Sequence, residues 1–215
     1  MIVVTGGAGF IGCNFVEKLN SQGIDKILIV DDLGSNDKWK NLRDKSFADY
    51  IHKDAFLEKL TTGKFEKEID GIVHLGACSS TTERDAEYLM RNNYQYSKSL
   101  ASWALERDVR FVYASSAATY GLGENGFSDA HEAVAGLKPL NMYGYSKQLF
   151  DLWTIKSGAI KDILGVKFFN VYGPNEHHKE EMRSVACKAY EQISCLLYTS
   201  PSPRDATLPR MPSSA

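Results

Sequence analysis

The chain has 215 residues, enough for one domain with a full core or one domain plus part of another. Its 43% hydrophobic and 24% charged residues are the balance of a soluble globular protein, and a net charge of -2 excludes a nucleic-acid or polyanion surface built on bulk positive charge. No stretch approaches the roughly 18 consecutive apolar residues of a membrane span, and "MIVVTGGAGF" has no basic leader, so a cytoplasmic protein without membrane or nucleic-acid partners is expected.

The first predicted element is a strand at "MIVVTG", running into Gly6, Gly9 and Gly12 and then a helix at about 10–22. The first glycine permits a tight turn, the second lets backbone approach a pyrophosphate, and the third lets the helix pack closely on the strand. The helix N-terminus then offers N–H donors to phosphate oxygens. A second strand, "KILIVDD", ends in Asp31. It lies about 20 residues beyond Gly12, where a carboxylate can accept adenine-ribose hydroxyls. Asp31 suggests NAD, whereas Lys38 and Lys53 could neutralise the 2′-phosphate of NADP. On charge alone the two cofactors stand even.

A weaker helix is predicted near 55–62, then a strand at "IDGIVHLGA", a helix at 83–107, and strands at "RFVYASS" and "ILGVKFFNV" on either side of a helix at 143–158. Alternation of this kind, with strands that are nearly continuous apolar runs, predicts an α/β chain. The expected fold is a Rossmann-type doubly wound parallel sheet with helices on both faces. From about Ser194, "SCLLYTSPSPRDATLPRMPSSA" contains four of the six prolines and loses periodicity. It reads as disordered and as the end of the preceding helix.

"YASSAATYG" follows a strand, and "MYGYSK" opens a helix on which Tyr143 and Lys147 are one turn apart. A nearby ammonium stabilises tyrosinate and is expected to lower the phenol's pKa, so that it can take a proton from an alcohol as hydride leaves. Ser116 can hydrogen-bond the same alcohol. Tyr145, only two residues from Lys147, faces away. The four cysteines (Cys13, Cys78, Cys187, Cys195) show no CxxC pairing and read as reduced thiols. His177 and His178 are adjacent and would point apart, so no metal site is expected.

The ordered set of glycines, Asp31, Ser116, Tyr143 and Lys147 resembles the extended short-chain dehydrogenase/reductase superfamily. "GACSSTTE", "NNYQYSK", "PLNMYGYSK" and "FFNVYGPNEHHK" narrow this to a resemblance to the ADP-L-glycero-D-manno-heptose 6-epimerase family, from Met1 to about Ile193. That resemblance implies an isomerase that transiently oxidises the 6-position of ADP-heptose in lipopolysaccharide core synthesis. It places Phe10, Ile11, Asp31, Asp32, Lys38 and Lys53 at the cofactor, together with Leu75, Gly76, Ala77, Cys78, Ser79, Asn92, Lys147, Val171 and Lys179. It tips the cofactor toward NADP, with NAD as the alternative.

The same resemblance places Asn170 and Lys188 at the substrate and makes Lys179 a second acid/base. On spacing alone Lys179 reads as a solvated lysine paired with Glu180 or Glu181. Two departures stand out: Leu75 where an acid is common, and "HHKEEMRS", more acidic than the family's version. The family continues well beyond this chain and forms homo-oligomers. The expected division is a dinucleotide domain at 1–170, the start of a substrate region at 171–193, and a non-native tail at 194–215. Another sugar-nucleotide epimerase or dehydratase, or an inactive dinucleotide-binding module, are the alternatives.

Overall fold

The computed structural model describes residues 1–65 and 68–199, with side chains through Ser194. Six parallel strands form one sheet: β1 (Ile2–Thr5), β2 (Ile27–Asp31), β3 (Asp49–His52), β4 (Gly71–His74), β5 (Arg110–Ser116) and β6 (Ile163–Phe168), in the order β3-β2-β1-β4-β5-β6. The α-helices are α1 (Phe10–Ser21), α2 (Lys53–Thr61), α3 (Ala86–Leu89), α4 (Tyr96–Glu106), α5 (Met142–Ser157) and α6 (Val185–Thr199). This is the doubly wound order, whose reversal between β1 and β4 opens a crevice at the carboxyl ends of those strands. The expected fold class holds.

The strand period of two divides the core between the two faces. Val3, Leu28 and Val30 join Phe56 of α2, Leu100 and Trp103 of α4 and Phe150 of α5. Their neighbours Val4, Ile27 and Ile29 meet Val16 and Leu19 of α1. β2 is buried along its whole length, as a strand covered on both faces must be. Cover on the α1 side stops short of the far edge: Leu164 and Val166 of β6 are 59% and 36% exposed. A groove of about 430 Å³ remains open among Phe15, Ile24, Val73 and Val112.

Three elements depart from the sequence reading. β3 was not anticipated, because "DYIH" is an edge strand in which only Ile51 is buried. The predicted helix at 83–107 is broken into α3, a π-helical turn at Met90–Gln95, and α4. α6 continues past Ser194 to Thr199, so the helix does not end where the periodicity fades. The rest of the predicted disordered tail lies outside the described residues. Among the described residues, no helix is long and apolar enough to cross a membrane.

Candidate active site

β1 ends at Thr5 and the chain turns at once. Gly6 has φ +68°, and a Cβ there would lie 2.7 Å from the Gly76 nitrogen. A Cβ on Gly12 would lie 2.1 Å from the Gly6 carbonyl oxygen, backbone against backbone, so α1 begins hard against the turn. The helix N-cap, Gly9, offers no side-chain acceptor, and the first turn has no acidic residue. Its leading N–H groups are therefore left for an external anion. The cradle fits a dinucleotide pyrophosphate.

Asp31, at the end of β2, is 7% exposed. Its Oδ2 accepts from the Ala8 N–H at 2.9 Å, and its Oδ1 from the Asp32 N–H at 2.7 Å and Lys38 Nζ at 2.8 Å. Lys38 also donates to the Asp32 carbonyl. Most of the carboxylate's acceptor capacity is thus spent inside the protein. Lys53 Nζ donates to Asn92 Oδ1 at 2.5 Å. Asp32, Lys38, Lys53, Cys78 and Asn92 line a hollow of about 150 Å³ beside Asp31. The hollow thus holds two ammonium groups and two carboxylates, Asp31 paired with Lys38 and Asp32 half exposed.

An adjoining cleft of about 880 Å³ opens over the glycine turn. α1 contributes Phe10 and Ile11, the loop after β4 contributes Leu75, Gly76, Ala77 and Ser79, and the segment after β6 contributes Asn170, Val171 and Lys179. Ser116 and Tyr143 face the same space. Ser116 ends β5, and its Oγ accepts from the Ala118 N–H at 3.1 Å. Tyr143 sits on the first turn of α5, where Asn141 caps the helix by accepting from the Gly144 N–H at 2.8 Å. Gly144 lets α5 close on the Ser116 loop, since a Cβ there would lie 2.6 Å from the Ala118 carbonyl oxygen. Tyr145 is 46% exposed and does not line the cleft.

One electrostatic expectation fails in this structure. Burial pushes the Tyr143 phenol up, against the expected fall, with the Ser116 hydroxyl pulling it back and Cys78 adding a lesser upward push. The Lys147 side chain is buried behind the cleft wall and donates to the Ala114 carbonyl at 2.8 Å. Burial pulls its ammonium down to about 8, and Asp151, one turn further along α5, resists that fall. Spacing put Tyr143 and Lys147 on one face but could not show where the ammonium points.

Lys179 lies on the 3-10 turn His177–Met182. Its partner is neither Glu180 nor Glu181. Nζ is 3.6 Å from Glu176 Oε2 and 5.0 Å from the centre of the Phe10 ring, at the cleft wall. Glu176, 2% exposed, accepts from the Ser184 N–H at 2.6 Å, the Ser184 hydroxyl at 2.8 Å and the Gly173 N–H at 3.1 Å. Burial alone would raise its carboxyl, but these donors hold it below the usual range. Lys188 is not brought in: it pairs with Glu181 at 3.1 Å, away from the cleft. Glu176 was missed because nothing in "GPNEHHK" marks one acid as buried. Asn93, hydrogen-bonded to Cys78 and Ser146, was missed beside Asn92 because a regular helix would not direct both inward.

A family model described as the NAD dependent epimerase/dehydratase family matches residues 2–204. A protein of Nitratidesulfovibrio vulgaris (strain DP4) named ADP-L-glycero-D-manno-heptose-6-epimerase is 56% identical over 193 residues, 90% of this chain and 60% of that protein. The crystal structure of the Helicobacter pylori protein of the same name superposes with a TM-score of 0.74 at 30% identity, covering 87% of this chain and 60% of that one. The Bordetella bronchiseptica enzyme WbmG, solved in complex with NAD and UDP, gives a TM-score of 0.63 at 25% identity over 80% of this chain and 54% of its own. This chain therefore spans about 60% of the curated relative's length. With a glycine cradle that fits a nicotinamide dinucleotide and a match over most of its length, the chain belongs to the NAD dependent epimerase/dehydratase family.

Proposed function

We propose that this chain carries the oxidoreductive half of an ADP-L-glycero-D-manno-heptose 6-epimerase, using NADP. Residues 1–170 would form the dinucleotide domain and 171–193 the start of the substrate region. The observation that carries the reading is one cleft lined by the glycine turn, Ser116, Tyr143 and Lys179. The names of the relatives supply the sugar. The NADP reading rests on Lys38, which occupies Asp31 and leaves it few acceptors for a free ribose 2′-hydroxyl, and on Lys53 in the same hollow as a partner for a 2′-phosphate.

A nicotinamide ring bound in the cleft supplies the hydride acceptor and donor and, when oxidised, a positive charge that favours tyrosinate. Ser116 holds the sugar hydroxyl in line while Tyr143 removes its proton. Inversion then requires the carbonyl to be presented in a second orientation. One fixed phenol cannot serve both oxygen positions at a reach of about 2.6–3.2 Å. Lys179, a second proton-transfer group lining the same cleft, gives or takes the proton in the second orientation. Glu176, locked by Ser184 and Gly173, holds the turn that carries Lys179.

The direct test incubates the purified chain with NADP and ADP-D-glycero-D-manno-heptose and analyses the product for the 6-epimer. Epimer formed by the wild type and lost in Lys179→Met and Tyr143→Phe would support the assignment. The chain's reduced span favours a second reading, a dinucleotide-binding module that does not turn over. Cofactor binding without epimer would select it.

A further inference from the structure

We propose that His74 is a positioning residue that ties the end of β1 to the first turn of α5, beneath the cleft, through a continuous buried hydrogen-bond chain. The proposal rests on the nicotinamide-dinucleotide reading of the cleft and goes beyond it.

Donor and acceptor bookkeeping fixes the direction of the chain. The Gly76 N–H donates to Thr5 Oγ1 at 3.0 Å, so the threonine's own proton is free to go to His74 Nδ1, 2.6 Å away. The ring proton then sits on Nε2, which donates to Ser97 Oγ at 2.8 Å. Ser97 in turn donates to the Asn93 carbonyl. With this one tautomer, each hydroxyl and ring nitrogen in the series has a partner. Thr5, His74, Ser97 and Asn93 are each 2% exposed or less, so no link can be replaced by bulk water. Burial, with the Lys147 ammonium as a lesser cause, pushes the His74 pKa down to about 3, which keeps the ring neutral.

Asn93 carries the chain onward. Its side chain donates to the Cys78 carbonyl at 3.0 Å and accepts from the Cys78 N–H at 2.9 Å, fixing the loop after β4. It also donates to Ser146 Oγ at 3.1 Å, and Ser146 donates to the Tyr143 carbonyl at 2.7 Å. The π-helical turn makes this possible. One extra residue in the turn lets Asn92 reach Lys53 in the charged hollow while its neighbour Asn93 enters the buried seam. The loop that meets the glycine turn and the turn that carries Tyr143 are thereby set by one network, with Asn93 as its branch point and His74 as the link that ties it to Thr5 at the end of β1. The imidazole touches neither substrate nor cofactor.

The test uses the full chain. His74→Phe keeps a ring of similar size but strands the Thr5 and Ser97 hydroxyls, and Thr5→Val removes the same link with a near-isostere. Fluorescence titration with NADPH and with NADH is expected to show at least about ten-fold weaker binding in each variant. Circular dichroism should remain native, and the double variant should bind no more weakly than the worse single one. Thr5→Ser, which retains the hydroxyl, should restore binding to within about two-fold of wild type, a rescue that packing alone would not give. Nitrogen-15 NMR of the histidines should show His74 as the Nε2–H tautomer. Should His74→Phe fail to fold, the Thr5→Val and Thr5→Ser pair carries the test. Wild-type affinity in Thr5→Val, or an Nδ1–H tautomer, would overturn the proposal. A wild-type chain that binds neither dinucleotide would overturn the cofactor reading and the positioning role with it, while the tautomer would still report whether the hydrogen-bond chain exists.

Discussion

On the glycine-turn side of the cleft, the polar groups at the strand ends are tied into the interior: Asp31 to Ala8 and Lys38, Thr5 to His74, Asn93 to Cys78. On the opposite side the chain is held by the buried Glu176, by Asn14 donating to the Pro174 carbonyl at 3.0 Å and by ion pairs at the surface, while Phe169, Tyr172 and Val185 stand 58%, 71% and 84% exposed. The contrast separates two jobs. The proposed dinucleotide site draws on strand ends and a helix start of this sheet. Under the proposed function the sugar falls to the opposite side, which presents apolar surface.

The largest expected effect lies inside the sheet side. Lys167 donates to Asp151 Oδ2 at 2.6 Å, and the two side chains are 16% and 6% exposed. Lys167→Met would leave the carboxylate buried with only its Tyr113 and Ser115 donors. A loss of about 3–5 kcal/mol is expected in urea denaturation. A loss under about 1 kcal/mol would mean the two sides do not differ in rigidity as described.

Lys38→Ala should weaken NADPH by roughly 1.5–3 kcal/mol while leaving NADH nearly unchanged, since it removes a phosphate partner and frees the Asp31 carboxylate. Competition titration reads the ratio directly. An unchanged ratio would remove the charge argument for NADP.

His74 provides a pH test. Burial depresses its folded pKa to about 3, from the ordinary histidine value of about 6.5, so between the two the unfolded chain takes up a proton that the folded chain does not. This contribution to stability is intact above pH 6.5 and is lost at about 1.4 kcal/mol per pH unit as the pH falls toward 3. Denaturation at pH 6.5 and pH 5 should show that slope in wild type and a shallower one in His74→Phe. Equal slopes would place the histidine in water.

The smallest effect belongs to the opposite side. Arg183 pairs with Glu191 across a surface where the glutamate is 47% exposed. Arg183→Ala should cost no more than about 1 kcal/mol. A larger loss would mean that the segment after β6 is more tightly built than its exposure indicates.

Legibility in the sequence follows the same division. The buried strands could be read because their apolar runs are long, and the glycine turn because a strand precedes it and a helix follows. β3 could not, since three of its four residues escape full burial. Tyr143 and Ser116 were read from motif order, and the structure brings both to the cleft. The direction of the Lys147 ammonium, the Glu176 partner of Lys179 and the displacement of Lys188 depend on side-chain contacts that spacing does not encode. The π-helical turn is equally silent, because its residues carry no periodic signature distinct from the α-helix around them.

The central claim is that the dinucleotide site is complete within this chain. Equilibrium titration of the purified 215-residue protein with NADPH and NADH tests it most directly, with Gly12→Ala as the control that drives a Cβ into the Gly6 carbonyl. The account predicts saturable binding of both, tighter for NADPH, and loss of binding in Gly12→Ala. Absence of binding by the folded wild-type chain to either dinucleotide would contradict it.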